Sequence, residues 1–237
     1  MAKFLLGADF GTSGVKALLL NAETGEKFGS KVYEYPTIHQ EPLWAEQIPL
    51  EYWNAFCKAC KELLDNSGIK SSEIEAVGFS SQGHGLIALD AEGNELGNNM
   101  IWMDSRSEEQ CKYIQDNFGE LITGINFNPI KVLFAIPGIL WEQQYRPEKY
   151  KKTVKYLGVS SYINYKLTSV FSVNPSEGSQ NYCFDTSHHK WNTEISKKLN
   201  IPLDKFSDIF ECHKFIGTIT NKAARETGLH PGTRVIL

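Results

Sequence analysis

Two turns of four residues, Gly11-Thr12-Ser13-Gly14 and Glu23-Thr24-Gly25-Glu26, fix how this chain begins. They separate three stretches that read as strands: Lys3 to Phe10, Val15 to Ala22 and Lys27 to Tyr35. Strands joined by turns this short must be antiparallel neighbours. From Leu50 the spacing of apolar residues changes. Trp53, Phe56, Cys57, Cys60, Leu63 and Leu64 share one face of a 3.6-residue helix. Pro49 suits its first turn and Gly68 its exit.

Ile74 to Ser80 reads as a fourth strand, running into Ser81-Gln82-Gly83-His84-Gly85. Leu86 to Leu89, the turn Ala91 to Asn94, and Met100 to Met103 suggest an inserted hairpin. Ser107 to Leu121 and Ile130 to Gln144 read as helices, with Pro137 kinking or interrupting the second. Val154 to Leu157 is a short strand. Ser160 to Leu167 is a short helix, with Ser160 or Ser161 as its N-cap. Phe171 to Trp191 is polar and reads as loop and hairpin. Asn192 begins a helix ending near Leu199, Asn221 to Thr227 forms another closed by Gly228, and Val235-Ile236-Leu237 opens a strand. There is no internal repeat and no low-complexity linker.

The 237 residues allow one or two domains. With 41% hydrophobic and 22% charged residues, the chain can bury a real core, which excludes wholesale disorder. Its charge, 24 − 28 = −4, argues against a nucleic-acid binder that relies on a basic face. The run Val132 to Trp141 is interrupted by Pro137 and falls short of the ~20 residues that span a bilayer, so no membrane partner is expected. The five cysteines are odd in number and scattered, which fits a reducing, cytoplasmic setting. Cys57 and Cys60 have CxxC spacing, but within an apolar helical stripe and without a second pair, so core packing is expected of them. The Lys and Arg run from Tyr145 to Lys155 reads as a solvated face.

The first turn carries the chemistry. Asp9 ends an apolar strand, and Gly11, Thr12 and Ser13 turn the chain back with exposed backbone N–H groups. Successive exposed N–H groups form an anion-binding concavity. An aspartate at its rim can hold Mg²⁺ against the same phosphate. Neither GxxxxGK[ST] nor GxGxxG occurs, so a P-loop and a Rossmann dinucleotide site lack support. An ordinary hairpin with an aspartate at its turn remains the structural alternative.

Asp9-Phe10-Gly11-Thr12-Ser13-Gly14-Val15-Lys16-Ala17 resembles the first phosphate motif of the FGGY carbohydrate kinases, of the sugar kinase, Hsp70 and actin superfamily. Trp44-Ala45-Glu46-Gln47 followed by Trp53 resembles the family's W-[AV]-E-Q…W, with Leu43 in place of its usual glycine. Gly78-Phe79-Ser80-Ser81-Gln82-Gly83-His84-Gly85 resembles the xylulokinase stretch G-[LI]-S-G-Q-M-H-G. Trp102-Met103-Asp104-Ser105-Arg106 resembles W-x-D-x-R, and Gly228-Leu229-His230-Pro231-Gly232-Thr233 resembles G-L-x-x-G-T.

The resemblance implies an RNase H-like, actin-like α/β domain with a mixed sheet and flanking helices. It implies that residues 1–237 are the N-terminal, sugar-binding domain of an ATP-dependent kinase acting on a ketose or polyol with Mg²⁺. Xylulose leads, and ribulose, gluconate, glycerol or another ketose are alternatives. Family members are roughly twice this long, two domains by the length prior. The family's catalytic base, the aspartate of a G-G-x-D segment, would then lie beyond Leu237, as would the C-terminal nucleotide domain, and this chain alone would be inactive. A homodimer of the full-length enzyme is compatible with the family.

By the same resemblance, Asp9 holds metal and phosphate with Gly11, Thr12 and Ser13, while Gln82, Gly83, His84, Trp102 and Asp104 line the sugar pocket. Gly83 replaces the family's methionine and is expected to leave extra room. Lys16, on a strand, is expected to point away from the phosphate. Asn174, Ser176, Glu177 and Ser179 align with T-D-x-S-[DN]-A-S, a structural segment near the mouth of the site. Two other classes stay open: a non-catalytic sugar-binding domain, and an actin-like or Hsp70-like module using nucleotide as a switch.

Overall fold

The two early turns fold the chain into an antiparallel meander in the computed structural model, which describes residues 4–237. The expected strand start at Lys3 lies outside the described residues. Strands β1 (Phe4–Phe10), β2 (Gly14–Asn21) and β3 (Lys27–Glu34) pair side by side, with Phe10 opposite Val15 and Asp9 opposite Lys16. Side chains alternate across a strand. Phe4, Leu6, Ala8 and Phe10 are accordingly buried, while Leu5 and Asp9 face outward.

Strand β4 (Glu46–Gln47) precedes α1 (Pro49–Ser67), and β5 (Ile74–Ser81) then enters the sheet parallel to β1. The chain next leaves the sheet through β6 (Ile87–Leu89), β7 (Asn99–Met100), α2 (Glu108–Asn126), α3 (Ala135–Tyr145), α4 (Pro147–Lys152) and β8 (Lys155–Leu157). It continues through α5 (Val159–Thr168), β9 (Ser172–Val173), α6 (Pro175–Gly178), β10 (Phe184–Asp185), β11 (Lys190–Trp191), α7 (Thr193–Leu199) and β12 (Asp208–Ile209). The return is made by β13 (Phe215–Thr218), α8 (Asn221–Thr227) and β14 (Arg234–Ile236). The main sheet has the order β13-β14-β5-β1-β2-β3, with β14 and β5 parallel and β13 antiparallel to β14. This is the mixed sheet with flanking helices expected from the resemblance.

Two apolar clusters hold the molecule. In the first, Phe10, Val15 and Leu19 of the sheet pack with Phe56, Cys60 and Leu63 of α1, Tyr162 and Leu167 of α5, and Ala223 of α8. In the second, Ile114 and Ile122 of α2 pack with Ile139 of α3, Tyr182, and Ile195 of α7. Full burial of each large apolar side chain favours the fold by about 1.5–3 kcal/mol. Cys57 and Cys60 are buried, and all five cysteines are free.

The structure departs from the sequence reading in several elements. The expected helix from Ile130 begins at Ala135, whose N–H donates to the Gln180 carbonyl. Pro137 therefore falls in the first turn, where an N–H has no intrahelical acceptor to lose, and it kinks nothing. The expected hairpin is reduced to two isolated bridges, Leu86 to Met100 and Leu89 to Glu95, because β6 pairs with β8 and β7 with β4. Helix α5 is capped by extended Gly158 rather than by Ser160 or Ser161, and the Ser160 hydroxyl donates to Glu177 instead. The basic run includes α4, where Lys149 turns inward to pair with buried Glu142. Strands β4, β9, β12 and β13 were not anticipated.

Candidate active site

The carboxyl ends of the parallel strands β1 and β5 lie side by side, and α/β sheets gather ligands at such edges. Register places Asp9 between Ser80 of β5 and Lys16 of β2. Paired residues share a face of the sheet, so all three side chains stand together, and Lys16 points toward the Asp9 face rather than away from it. The Ser80 hydroxyl donates to Asp9 Oδ1 at 2.6 Å. Among the described residues Oδ2 accepts no hydrogen bond, and Asp9 is exposed.

The turn after Asp9 is held from three sides. Tyr35 donates its hydroxyl proton to the Gly11 carbonyl at 2.6 Å, Gln47 Nε2 donates to the Thr12 carbonyl at 2.6 Å, and Trp102 Nε1 donates to Thr12 Oγ1 at 3.0 Å. The Gly11 N–H closes the turn onto the Gly14 carbonyl. A Cβ at Gly14 would stand 2.5 Å from the Tyr33 carbonyl oxygen, so only glycine permits β3 to approach here. The backbone N–H groups of Thr12 and Ser13 meet no protein acceptor among the described residues. Two unpartnered amides beside a carboxylate suit the phosphate and divalent cation of a nucleotide.

The Gln82-Gly83-His84-Gly85 loop follows β5 directly. Gln82 donates its backbone N–H to the Phe10 carbonyl at 2.7 Å, and its side chain donates to Gln47 Oε1 at 2.7 Å. Tyr52 donates to the same Gln47 oxygen at 2.7 Å and accepts from Asn99 Nδ2 at 2.8 Å. Burial pushes the Tyr52 phenol up, so it remains a donor. Asn99 Oδ1 in turn accepts the Leu86 N–H at 2.6 Å. A continuous chain of neutral hydrogen bonds thus runs from Thr12 to the far end of the loop.

His84 has φ +59, uncommon for a residue with a side chain, and such backbone concentrates at functional sites. Its N–H donates to Gln180 Oε1 at 2.6 Å, and its ring meets Phe134 edge-on at 4.7 Å. Nδ1 is buried without a partner, and burial holds the imidazole below its usual pKa. Behind it, a cavity of about 50 Å³ is lined by His84, Ser161, Glu177 and Ser207 among others. Burial pushes the Glu177 carboxyl up. The segment carrying Glu177 is built by Asn174, whose side chain accepts the Glu177 N–H and caps α6.

Gly83 does not leave the expected room. A Cβ there would lie 2.9 Å from Gln180 Nε2 and 3.1 Å from its Oε1, so the Gln180 carboxamide already fills the space. Trp102 is 44% exposed and reaches the Gly11–Gly14 turn. Asp104 lines a small cavity with His84, yet it is tied to the segment below it. It is 5% exposed, accepts the Ala45 N–H at 2.8 Å, and is gripped by Arg106 through Nε and Nη2. Arg106 also pairs with Glu46 at 2.7 Å and lies 3.7 Å over the Trp44 ring. The W-A-E-Q and W-x-D-x-R segments are therefore two halves of one buried knot.

Sequence reasoning missed Gln47, Tyr52 and Asn99 as supports, and Gln180 as a neighbour of the loop. For Lys16 a signal existed: a turn that puts Phe10 opposite Val15 also puts Asp9 opposite Lys16.

The family profile described as "FGGY family of carbohydrate kinases, N-terminal domain" matches residues 4–237. Xylulose kinase of Bacillus subtilis is 29% identical over 98% of this chain and 46% of its own length. Xylulose kinase of Staphylococcus epidermidis is 31% identical over 95% of this chain and 44% of its own length. The structure of gluconate kinase from Lactobacillus acidophilus superposes with a TM-score of 0.93 at 24% identity, over 100% of this chain and 48% of that one. This chain therefore spans about half the length of the curated relatives it matches. Its profile match, its relatives and its fold agree, and the chain belongs to the FGGY family of carbohydrate kinases as an N-terminal domain.

Proposed function

We propose that this domain is the sugar-binding half of an ATP-dependent kinase that moves the γ-phosphoryl group of ATP to a hydroxyl of a ketose or polyol. Xylulose is the leading substrate, Mg²⁺ the cation, and the cytoplasm the site of action. The observation that carries the reading is one sheet edge bearing a free carboxylate oxygen at Asp9, two unpartnered amides at Thr12 and Ser13, and a left-handed His84. The residues fit the group. Hard carboxylate and hydroxyl oxygens from Asp9 and Ser80 suit a magnesium ion or its water shell. Mg²⁺·ATP supplies an electrophilic phosphorus and neutralises developing charge.

The domain's own residues orient and bind. Thr12 and Ser13 donate N–H groups to phosphate oxygens, Lys16 adds positive charge on the same face, and Asp9 holds the cation side. His84 presents its ring to the sugar, and as a neutral imidazole it both donates and accepts. The base is the aspartate that the family places after β14. That strand runs parallel to β5 with Ile236 opposite Gly78, so a chain continuing in this register reaches the level of Ser80 two residues later. Support for the sugar comes from the xylulose kinases among the relatives. Among the described residues no helix is long and apolar enough to cross a membrane.

The test is ADP formation by the full-length enzyme over xylulose, ribulose, gluconate, glycerol and further ketoses. Xylulose is expected to give the highest kcat/KM. No sugar-dependent ADP with any of them would sink the reading in favour of a binding or switch module.

A further inference from the structure

We propose that Gln180 is a specificity-determining residue of the sugar site, acting with Gly83 as one unit; this rests on the sugar-kinase reading above. The whole carboxamide of Gln180 lies over the Cα of Gly83, with Nε2, Oε1 and Cδ all within 3.2 Å of where a Cβ would stand. Its two ends do different work. Oε1 accepts the His84 N–H at 2.6 Å and so holds the peptide of a residue at φ +59. Nε2 donates to no protein acceptor among the described residues and is left for a ligand oxygen at the loop.

The carboxamide is itself well anchored. The Gln180 N–H donates to the Glu177 carbonyl at 3.1 Å, and its carbonyl accepts the Ala135 N–H at the start of α3. A long, flexible side chain is thereby aimed by backbone bonds on both sides. The ligand meets an amide donor beside His84 where a methionine at position 83 would present a thioether. A donor that must be satisfied discriminates between sugars by the position of a hydroxyl, which an apolar contact does far less sharply.

Three variants of the full-length enzyme separate the roles. Gln180→Glu keeps an acceptor for the His84 N–H and loses the donor. It should lower kcat/KM for the best sugar by about 10-fold and reorder the panel, the size of one lost hydrogen bond. Gly83→Met should lower the melting temperature by displacing the carboxamide. Gly83→Met with Gln180→Gly should recover most of that loss and display a third order of sugar preference. A merely structural glutamine would change melting temperature and leave the ranking of sugars intact, which overturns the proposal. Additive melting shifts in the double variant would overturn the coupling. If wild type itself uses no sugar, the kinase reading fails instead, and the melting cycle still reports on the pair.

Discussion

Arg106→Met should unfold the protein far more easily and reveal Asp104 as a structural residue. The Arg106 head group is 2% exposed and lies between the Asp104 and Glu46 carboxylates, which are 5% and 4% exposed. Methionine fills much of its volume over Trp44 but leaves two buried carboxylates without a cation. Removing one partner from a buried pair costs about 3–5 kcal/mol, because the remaining charge is uncompensated. At about 2–4 °C per kcal/mol for a chain of this size, the melting temperature should fall by roughly 6–20 °C. Asp104→Asn should cost less, about 1.5–3 kcal/mol, since Glu46 still pairs with the guanidinium and an amide oxygen can accept the Ala45 N–H. Thermal and guanidinium unfolding of both variants measures the loss. The reasoning is refuted if Arg106→Met melts with wild type. It is equally refuted if Asp104→Asn keeps full stability while raising the KM for sugar tenfold, for then the carboxylate faces the ligand.

Asp9→Asn in the full-length enzyme should depress kcat much more than it raises the KM for sugar, since Asp9 stands with the phosphate turn; a normal kcat returns that turn to an ordinary hairpin. His84→Ala should cut kcat/KM for the best ketose by about 10-fold or more while folding normally, and an unchanged sugar profile would show that the ligand binds elsewhere. Burial holds the His84 pKa below its unfolded value of about 6.5, so the unfolded chain takes up the proton first. Stability should therefore fall as pH drops below about 6.5, and His84→Gln should flatten that slope in denaturant titrations. The 237-residue chain alone should form no ADP in response to sugar above a no-sugar control, because general-base catalysis is worth about 10²–10⁴-fold and nucleotide positioning adds to it.

What the sequence disclosed was local. The meander was legible because its turns lie within a few residues of the strands they join, and α1 because Pro49 and Gly68 bracket its apolar stripe. Gly68 indeed closes the helix at φ 68. The errors in strand pairing and helix start were non-local. Nothing between Leu86 and Met103 says that β6 will pair with Lys155–Leu157, because that partner is supplied by a distant segment. The start of α3 is set by the Gln180 carbonyl, which no helical periodicity contains. The same division applies to the site. Asp9 and the small-residue turn announce themselves, whereas the room beside Gly83 depends on a side chain almost a hundred residues later.

The motifs also divide by physical task. Phosphoryl transfer asks for reacting groups held at about 3–3.5 Å in fixed orientation, and for a field that favours the transferring phosphate's charge. The support between the phosphate turn and the sugar loop consists of Gln47, Tyr52, Gln82 and Asn99, all neutral, joined by bonds of 2.6–2.8 Å. In the proposed kinase, such a brace would fix distance without placing a net charge between nucleotide and sugar. The buried ions Glu46, Asp104 and Arg106 sit instead in the knot that joins β4 to the segment after β7, where both carboxylates pair with the one guanidinium. Asp9 and Lys16 stand opposite each other on one open face, and Glu34 lines the surface pocket of Thr12 and Ser13. Glu46 and Gln47 are adjacent in sequence, yet one anchors the ionic knot and the other the neutral brace. The alternation of a two-residue strand thus ties the stability of the domain to the geometry of its reacting edge.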